Sequence, residues 1–64
     1  MMTNKQYYDR FIEIVTDYLL DNDFNRLEIK FIDDIYILVK VDNCMQFFEA
    51  KDTVNALNFI INNR

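Results

Sequence analysis

Few side chains of this 64-residue chain have types and spacing suited to chemistry. Asp33 and Asp34 are the one pair of adjacent acids, and Cys44 is the one thiol. Paired carboxylates can exchange protons or hold Mg²⁺, and a thiolate is a nucleophile. Because the chain contains no histidine and no serine, neither a Ser–His nor a Cys–His couple can form. We therefore predict no catalytic residue, no cofactor and no metal site, and expect a protein that is not an enzyme.

The acid pair and the thiol both have simpler structural interpretations. Asp33 and Asp34 lie between two predicted strands, where an Asp pair favours a turn. Cys44 lies in a predicted strand without a histidine to activate it, so we interpret it as a buried or half-buried residue. The absence of glycine also excludes the Gly-rich loops that hold phosphates.

Composition predicts one folded domain spanning residues 1–64. Half of the chain is apolar, with six Phe and four Tyr, which is more apolar content than a disordered segment carries. The net charge of −4 argues against direct binding of nucleic acid, which needs a basic surface. The sequence shows neither a signal peptide nor a membrane-length apolar run, and its Met1-Met2 start is typical of a complete small protein. We expect a cytoplasmic location with the thiol reduced.

The first element is predicted to be a helix that begins after Thr3. Thr3 and Gln6 have the spacing of a capping box, in which each side chain accepts a hydrogen bond from a backbone N–H. The helix is expected to end at the turn-prone cluster formed by residues 21–23. Its predicted apolar stripe comprises Tyr8, Phe11, Ile12, Val15 and Leu19.

Three strand candidates follow, separated by pairs of Asp and Asn residues. Residues 27–31 alternate between apolar and charged, residues 35–41 are nearly all apolar, and residues 44–49 are the third candidate. The pairs at 33–34 and 42–43 are predicted to form two-residue turns, because Asp and Asn tolerate left-handed backbone geometry in a chain without glycine.

A second helix is predicted to begin at Asp52, which has a favourable N-cap side chain. Its apolar face is expected to comprise Val54, Leu57 and Ile61, widened by Ala56, Phe59 and Ile60. The predicted fold class is α+β, with α-β-β-β-α order, a three-stranded antiparallel meander, and two helices packed on one face of the sheet.

Two-residue turns at both hairpins would divide the apolar residues of the sheet between two faces. The face predicted to lie under the helices comprises Leu27, Ile29, Phe31, Tyr36, Leu38, Met45 and Phe47. The opposite face, predicted to be an exposed aliphatic row open to self-association, includes Ile35, Ile37, Val39, Val41 and Phe48. Monomers seldom leave a large apolar patch uncovered, so a second copy, a target protein or a crossing helix is expected there.

The first helix also carries acids at four-residue spacing, namely Asp9, Glu13, Asp17 and Asp21. Like charges at this spacing cost the isolated helix about 0.2–0.5 kcal/mol per pair. Successive carboxylates rise about 6 Å along a helix, which is comparable with the phosphate spacing of one nucleic-acid strand. One interpretation of this acidic row is a DNA-mimicking surface that occupies a basic groove on a nucleic-acid enzyme. The other is a solvated face that keeps a small acidic protein soluble.

The short length, the acidity and the predicted α-β-β-β-α order resemble those of small inhibitors carried by phages and mobile elements. Some anti-CRISPR proteins that block type II effector nucleases are similar in element order and acidity. The resemblance covers most of the chain at the level of layout and rests on no shared motif, so it transfers no site residue. It implies a non-enzymatic inhibitor or adaptor that binds another protein, in the sharper form a DNA mimic acting on an enzyme such as a CRISPR nuclease.

The alternative function is a small homodimeric module joined through the predicted exposed face of the sheet. The two functions differ in their partner, which is a target protein such as a nucleic-acid-binding enzyme in the first and a second copy in the other. Neither function involves direct contact with nucleic acid or with a membrane.

Overall fold

The computed structural model describes residues 1–19 and 27–63. Its elements are helix α1 (Asn4–Ile14), a π-helical turn that continues it (Val15–Leu19), strands β1 (Leu27–Ile32), β2 (Tyr36–Val41) and β3 (Cys44–Glu49), and helix α2 (Thr53–Asn62). The strands form one antiparallel sheet in the order β1-β2-β3. The predicted α+β fold with this element order is confirmed, whereas the predicted helix end at residues 21–23 lies outside the described residues.

The start of α1 is fixed by the capping box that the sequence predicts. The backbone N–H of Gln6 donates to Thr3 Oγ1 at 3.1 Å, and the backbone N–H of Thr3 donates to Gln6 Oε1 at 2.8 Å. Two backbone donors at the helix start are thereby satisfied. The neighbouring Asn4 donates from Nδ2 to the backbone oxygen of Asp34 at 2.9 Å. This bond ties the first turn of α1 to the turn between β1 and β2.

Both helices pack on the same face of the sheet, as predicted. On the β1 side the ring of Tyr8 stacks on Phe31 with centroids 4.7 Å apart, and on the β3 side Phe48 packs on Phe59 at 5.6 Å. Burying a large apolar side chain contributes about 1.5–3 kcal/mol, so these contacts and the core between them supply most of the stabilisation. The buried core comprises Phe11, Val15, Ile37, Val39, Val41, Phe48, Ala50, Ala56 and Ile60.

Helix α2 packs on the sheet through part of its predicted face, with Leu57 and Phe59 half-buried against the core as predicted. Ala56 and Ile60 are fully buried, whereas Val54 is 68% exposed and Ile61 is also exposed. The small side chain of Ala56 lets the helix approach the sheet closely. Because this helix is apolar around most of its circumference, periodicity alone does not select the buried side. Asp52 occupies the predicted N-cap position but makes no capping bond with its side chain.

The turn between β2 and β3 has the predicted two-residue form. Val41 pairs with Cys44 directly across Asp42 and Asn43. Asp42 has a φ of 53°, in the left-handed region. An aspartate therefore takes the position that glycine often takes in such turns, as the sequence predicts.

The turn between β1 and β2 contains one more residue than predicted. Asp33 and Asp34 have φ values of 54° and 57°, and the N–H of Ile35 donates to the oxygen of Ile32 at 3.0 Å. This closes the expected two-residue turn, but Ile32 is paired with Tyr36 and not with Ile35. Ile35 is therefore an extra residue on β2, which is the arrangement of a β-bulge.

The extra residue shifts the pairing of β1 with β2 by one position and exchanges the two faces of β2. The prediction of an exposed aliphatic face for self-association was therefore wrong: the structure buries Ile37, Val39, Val41 and Phe48 beneath the helices, and only Ile35 of that set is exposed. Four residues predicted to lie beneath the helices are on the other face of the sheet, namely Tyr36, Leu38, Met45 and Phe47. Leu27, Ile29 and Phe31 do lie against the core, as predicted.

Candidate binding surface

The sheet face opposite the helices is the most distinctive surface of the described residues, and we call it the open face. Met45 and Phe47 are 59% and 55% exposed on it, and Tyr36 beside them is exposed as well. Large apolar side chains grouped in this way indicate a surface that contacts another molecule. The strand register places nine residues on the open face: Glu28, Lys30, Ile32, Tyr36, Leu38, Lys40, Met45, Phe47 and Glu49.

The strand register arranges these residues with the apolar groups in the middle. Leu38 lies at the centre, between Lys30 on β1 and Phe47 on β3. Tyr36 contacts Phe47 edge to face, with ring centroids 6.5 Å apart, and edge-to-face packing is a preferred geometry for aromatic pairs. A rigid sheet positions this group, because the backbone of β2 is bonded on both sides. The open face is therefore preformed.

Charges of both signs flank the apolar centre of the open face. Glu28 on β1 lies opposite Lys40 on β2 in the strand register. The carboxylate of Glu49 lies 3.5 Å from the ammonium of Lys51. With two Lys and two Glu, the open face has no net charge, although the whole chain carries −4. A depression of about 180 Å³ on it is lined by Glu28, Lys30, Leu38, Lys40 and Met45. This depression can take an apolar side chain with a polar end.

The acidic row of α1 is exposed but is not a continuous strip of free charge. Asp9, Glu13 and Asp17 are exposed, and Asp21 lies outside the described residues. The ammonium of Lys5 donates a hydrogen bond to the carboxylate of Asp9, and this bond raises the pKa of Lys5 above its ordinary value of 10.5. Asp17 lies in the π-helical turn, where hydrogen bonds run from i to i+5. The α-helical stacking of residues four apart therefore ends before Asp17.

The acidic turns lie at opposite ends of the sheet and do not join into one field. The turn at Asp33 and Asp34 is bonded to Asn4 at the start of α1. Asp42 is at the other end of the sheet, in the turn between β2 and β3. The paired carboxylates have the turn role that the sequence favours, with both residues in left-handed backbone.

A groove between β3 and α2 was missed by the sequence analysis. It has a volume of about 400 Å³, with Gln46, Phe48 and Phe59 among its lining residues. Its helix side carries Asn55, Asn58 and Asn62, whose spacing places them on one helical face. The sequence shows this asparagine spacing and could have indicated a polar face on α2. It does not show the groove itself, which depends on how α2 lies on the sheet.

The structure corrects the interpretation of Cys44, which is exposed at the start of β3 and was predicted to be buried or half-buried. Its position next to a tight turn leaves it near the end of the sheet. Within residues 1–19 and 27–63, no three His, Cys, Asp or Glu residues are grouped as a metal ion would need. In the same part of the chain, no helix is long and apolar enough to cross a membrane.

Comparisons of the chain with protein-family models, with curated proteins and with solved structures gave no match.

Proposed function

We propose that this chain is a non-catalytic protein-binding module that contacts its partner through the open face. The observation that supports this most strongly is the exposure of Tyr36, Met45 and Phe47 around Leu38 on a preformed sheet. Aromatic residues and Met are enriched at the cores of protein interfaces, and charged residues at their rims. The open face has this composition and arrangement.

The partner we propose is a protein with a basic surface beside an apolar patch. The neutral open face supplies the apolar contact, and the remaining acids of the chain give it a net charge of −4. Such a charge accelerates encounter with a basic partner. Nucleic-acid-binding enzymes have basic surfaces of this kind. An inhibitor or adaptor of such an enzyme would use both the apolar open face and the acidic net charge of this chain.

The acidic row contributes to this encounter and is not the main contact in the proposal. Lys5 compensates the charge of Asp9, and the π-helical turn interrupts the phosphate-like spacing at Asp17. Exposed charges act over long range and are screened by salt, so they favour fast association more than a tight final contact.

The test compares Leu38→Glu with Val54→Glu as bait in affinity capture from host lysate. Both variants add the same charge, but Val54 is an exposed residue on α2, away from the open face. We expect the wild-type protein and Val54→Glu to retain the same basic partner, and Leu38→Glu to lose it because a carboxylate would be desolvated in the contact. Equal retention by all three, with each shown to be folded by circular dichroism, would exclude the open face as the contact.

A further inference from the structure

Strand β3 is an edge strand whose outward backbone groups can be assigned residue by residue. The N–H of Ala50 donates to the oxygen of Ile35 on the β2 side at 2.9 Å, and Val41 pairs with Cys44 across a two-residue turn. In an antiparallel pair, hydrogen-bonded positions alternate along each strand. Even-numbered residues of β3 therefore direct their backbone groups toward β2, and the odd-numbered residues direct theirs outward. These outward residues are Met45, Phe47 and Glu49, of which Glu49 already accepts a hydrogen bond at its backbone oxygen from the N–H of Asp52 at 2.9 Å.

The outer edge of β3 lacks the features that usually prevent strand pairing. Edge strands are commonly protected by Lys, by Pro or by charged side chains along the edge. On the opposite edge of the sheet, β1 carries Glu28 and Lys30. On β3 the corresponding side chains are Met45 and Phe47, and the strand's only charge is Glu49 at its end. The two edges therefore differ, and β3 is the one open to another strand.

We propose that β3 pairs in antiparallel fashion with β3 of a second copy of this chain. The outward groups belong to odd-numbered residues in both copies, so odd residues must pair with odd residues. The two sheets then continue as one six-stranded sheet, with the open faces of both copies on the same side. Phe47 lies opposite Phe47 of the second copy, and Met45 lies opposite its Glu49.

The chemistry of β3 matches that of a second copy. This register keeps the two Glu49 carboxylates apart, because each lies beside a neutral Met45. It also places Gln46 of the second copy opposite Phe48, next to the groove between β3 and α2. The amides of Asn55 and Asn58 line that groove and can exchange hydrogen bonds with the incoming glutamine amide. Each copy thus supplies both the strand that pairs and the groove between β3 and α2 that receives the glutamine of the other copy.

The first test measures the mass of the wild-type protein and of two variants of one residue by sedimentation, up to about 1 mM protein. Phe47→Pro removes an outward N–H without removing a bond to β2, and proline is tolerated at such edge positions. Phe47→Ala removes the side chain and keeps the N–H. We expect twice the 7.8 kDa of one chain for the wild type, weakened dimerisation for Phe47→Ala, and a monomer for Phe47→Pro. A wild type that stays monomeric, or a Phe47→Pro variant that dimerises as well as Phe47→Ala, would refute the pairing.

The second test needs no variant, so it stands even if Phe47→Pro does not fold. Amide hydrogen exchange of the wild type is followed by NMR at high and low protein concentration. We expect the amides of Met45 and Phe47 to exchange slowly when concentrated and at least tenfold faster on dilution. The outward amides of Ile29 and Phe31 on β1 serve as the internal control and should exchange fast at both concentrations. Exchange at Met45 and Phe47 that is independent of concentration would contradict the proposal.

The outcome is separable from that of the proposed function. Leu38 lies on the central strand, so Leu38→Glu leaves the β3 edge and its dimer mass unchanged while it removes binding of the basic partner. Loss of the partner together with an unchanged dimer mass would support both proposals. A monomeric wild type that still binds the partner through Leu38 would reject the pairing alone.

Discussion

At the residue scale, aspartate performs the backbone role that glycine performs in other chains. The sequence contains no glycine, yet three residues of the described structure have left-handed backbone, and all three are aspartates: Asp33, Asp34 and Asp42. Asp is among the residues that visit this region with the least steric cost. Backbone geometry therefore explains why aspartates occupy the turns of the sheet.

The substitution Asp42→Gly tests this explanation. Removing the Cβ relieves about 1–2 kcal/mol of steric cost in the folded state. Glycine also gives the unfolded chain more conformational freedom, which lowers the stability of the fold by about 0.4–1 kcal/mol. We expect a net gain of about 0.5 kcal/mol in the free energy of unfolding, measured by urea titration. Asn43→Gly is the matched control. Because the φ of Asn43 is not positive, this substitution relieves no steric cost, and we expect it only to destabilise the protein through the greater freedom of the unfolded chain. Asp42→Asn separates the effect of charge, and a gain as large in Asp42→Asn would contradict the backbone explanation.

At the element scale, the sequence predicts the number, type and order of the elements but not which face of β2 lies under the helices. Capping residues and apolar periodicity place α1, and the Asp and Asn pairs place both hairpins. The face depends on Ile35, a single extra residue, because a shift of one position reverses every side chain of a strand. Lys40 could have indicated the correct face, because the predicted arrangement would have placed its charge near the core.

The register of β2 can be tested with a pair of adjacent substitutions. Ile37→Ala removes a fully buried side chain and should cost about 2–5 kcal/mol in the free energy of unfolding. Tyr36→Ala removes a larger side chain from the open face and should cost about 0.5–1 kcal/mol, mainly through the lost contact with Phe47. Both costs are measured by urea denaturation at equal protein concentration. A larger cost for Tyr36→Ala would mean that the faces are reversed.

At the scale of the whole molecule, the exposed apolar residues of the open face and the described residues of the acidic row lie on different sides of the sheet. The open face has no net charge, while Asp9 and Glu13 on α1 and Asp17 in the π-helical turn lie across the sheet from it. No arrangement of this kind is visible in composition alone, because it depends on which side of the sheet the helices cover. In the function we propose, the charge steers the encounter and the open face makes the final contact.

The double charge reversal Glu13→Lys with Asp17→Lys separates steering from contact. If Glu13 and Asp17 steer the encounter, we expect the association rate of the double variant with the basic partner to be about tenfold lower at low salt. At high salt the rate should approach the wild-type value. The dissociation rate should change little, because neither residue lies on the open face. These rates are measured by surface plasmon resonance at two salt concentrations. Complete loss of binding at both would instead support the DNA mimic, with the acidic row as the main contact.

Contact between the open face and a protein partner can be observed by methyl cross-saturation NMR of the complex. Saturation is applied to the captured partner, and attenuation is read at the methyl groups of this chain. If the open face is the contact surface, we expect strong attenuation at Leu38 and Met45, and none at Val54 and Ile61, which are exposed apolar residues on α2. Attenuation at Val54 and Ile61 with Leu38 and Met45 unaffected would contradict it.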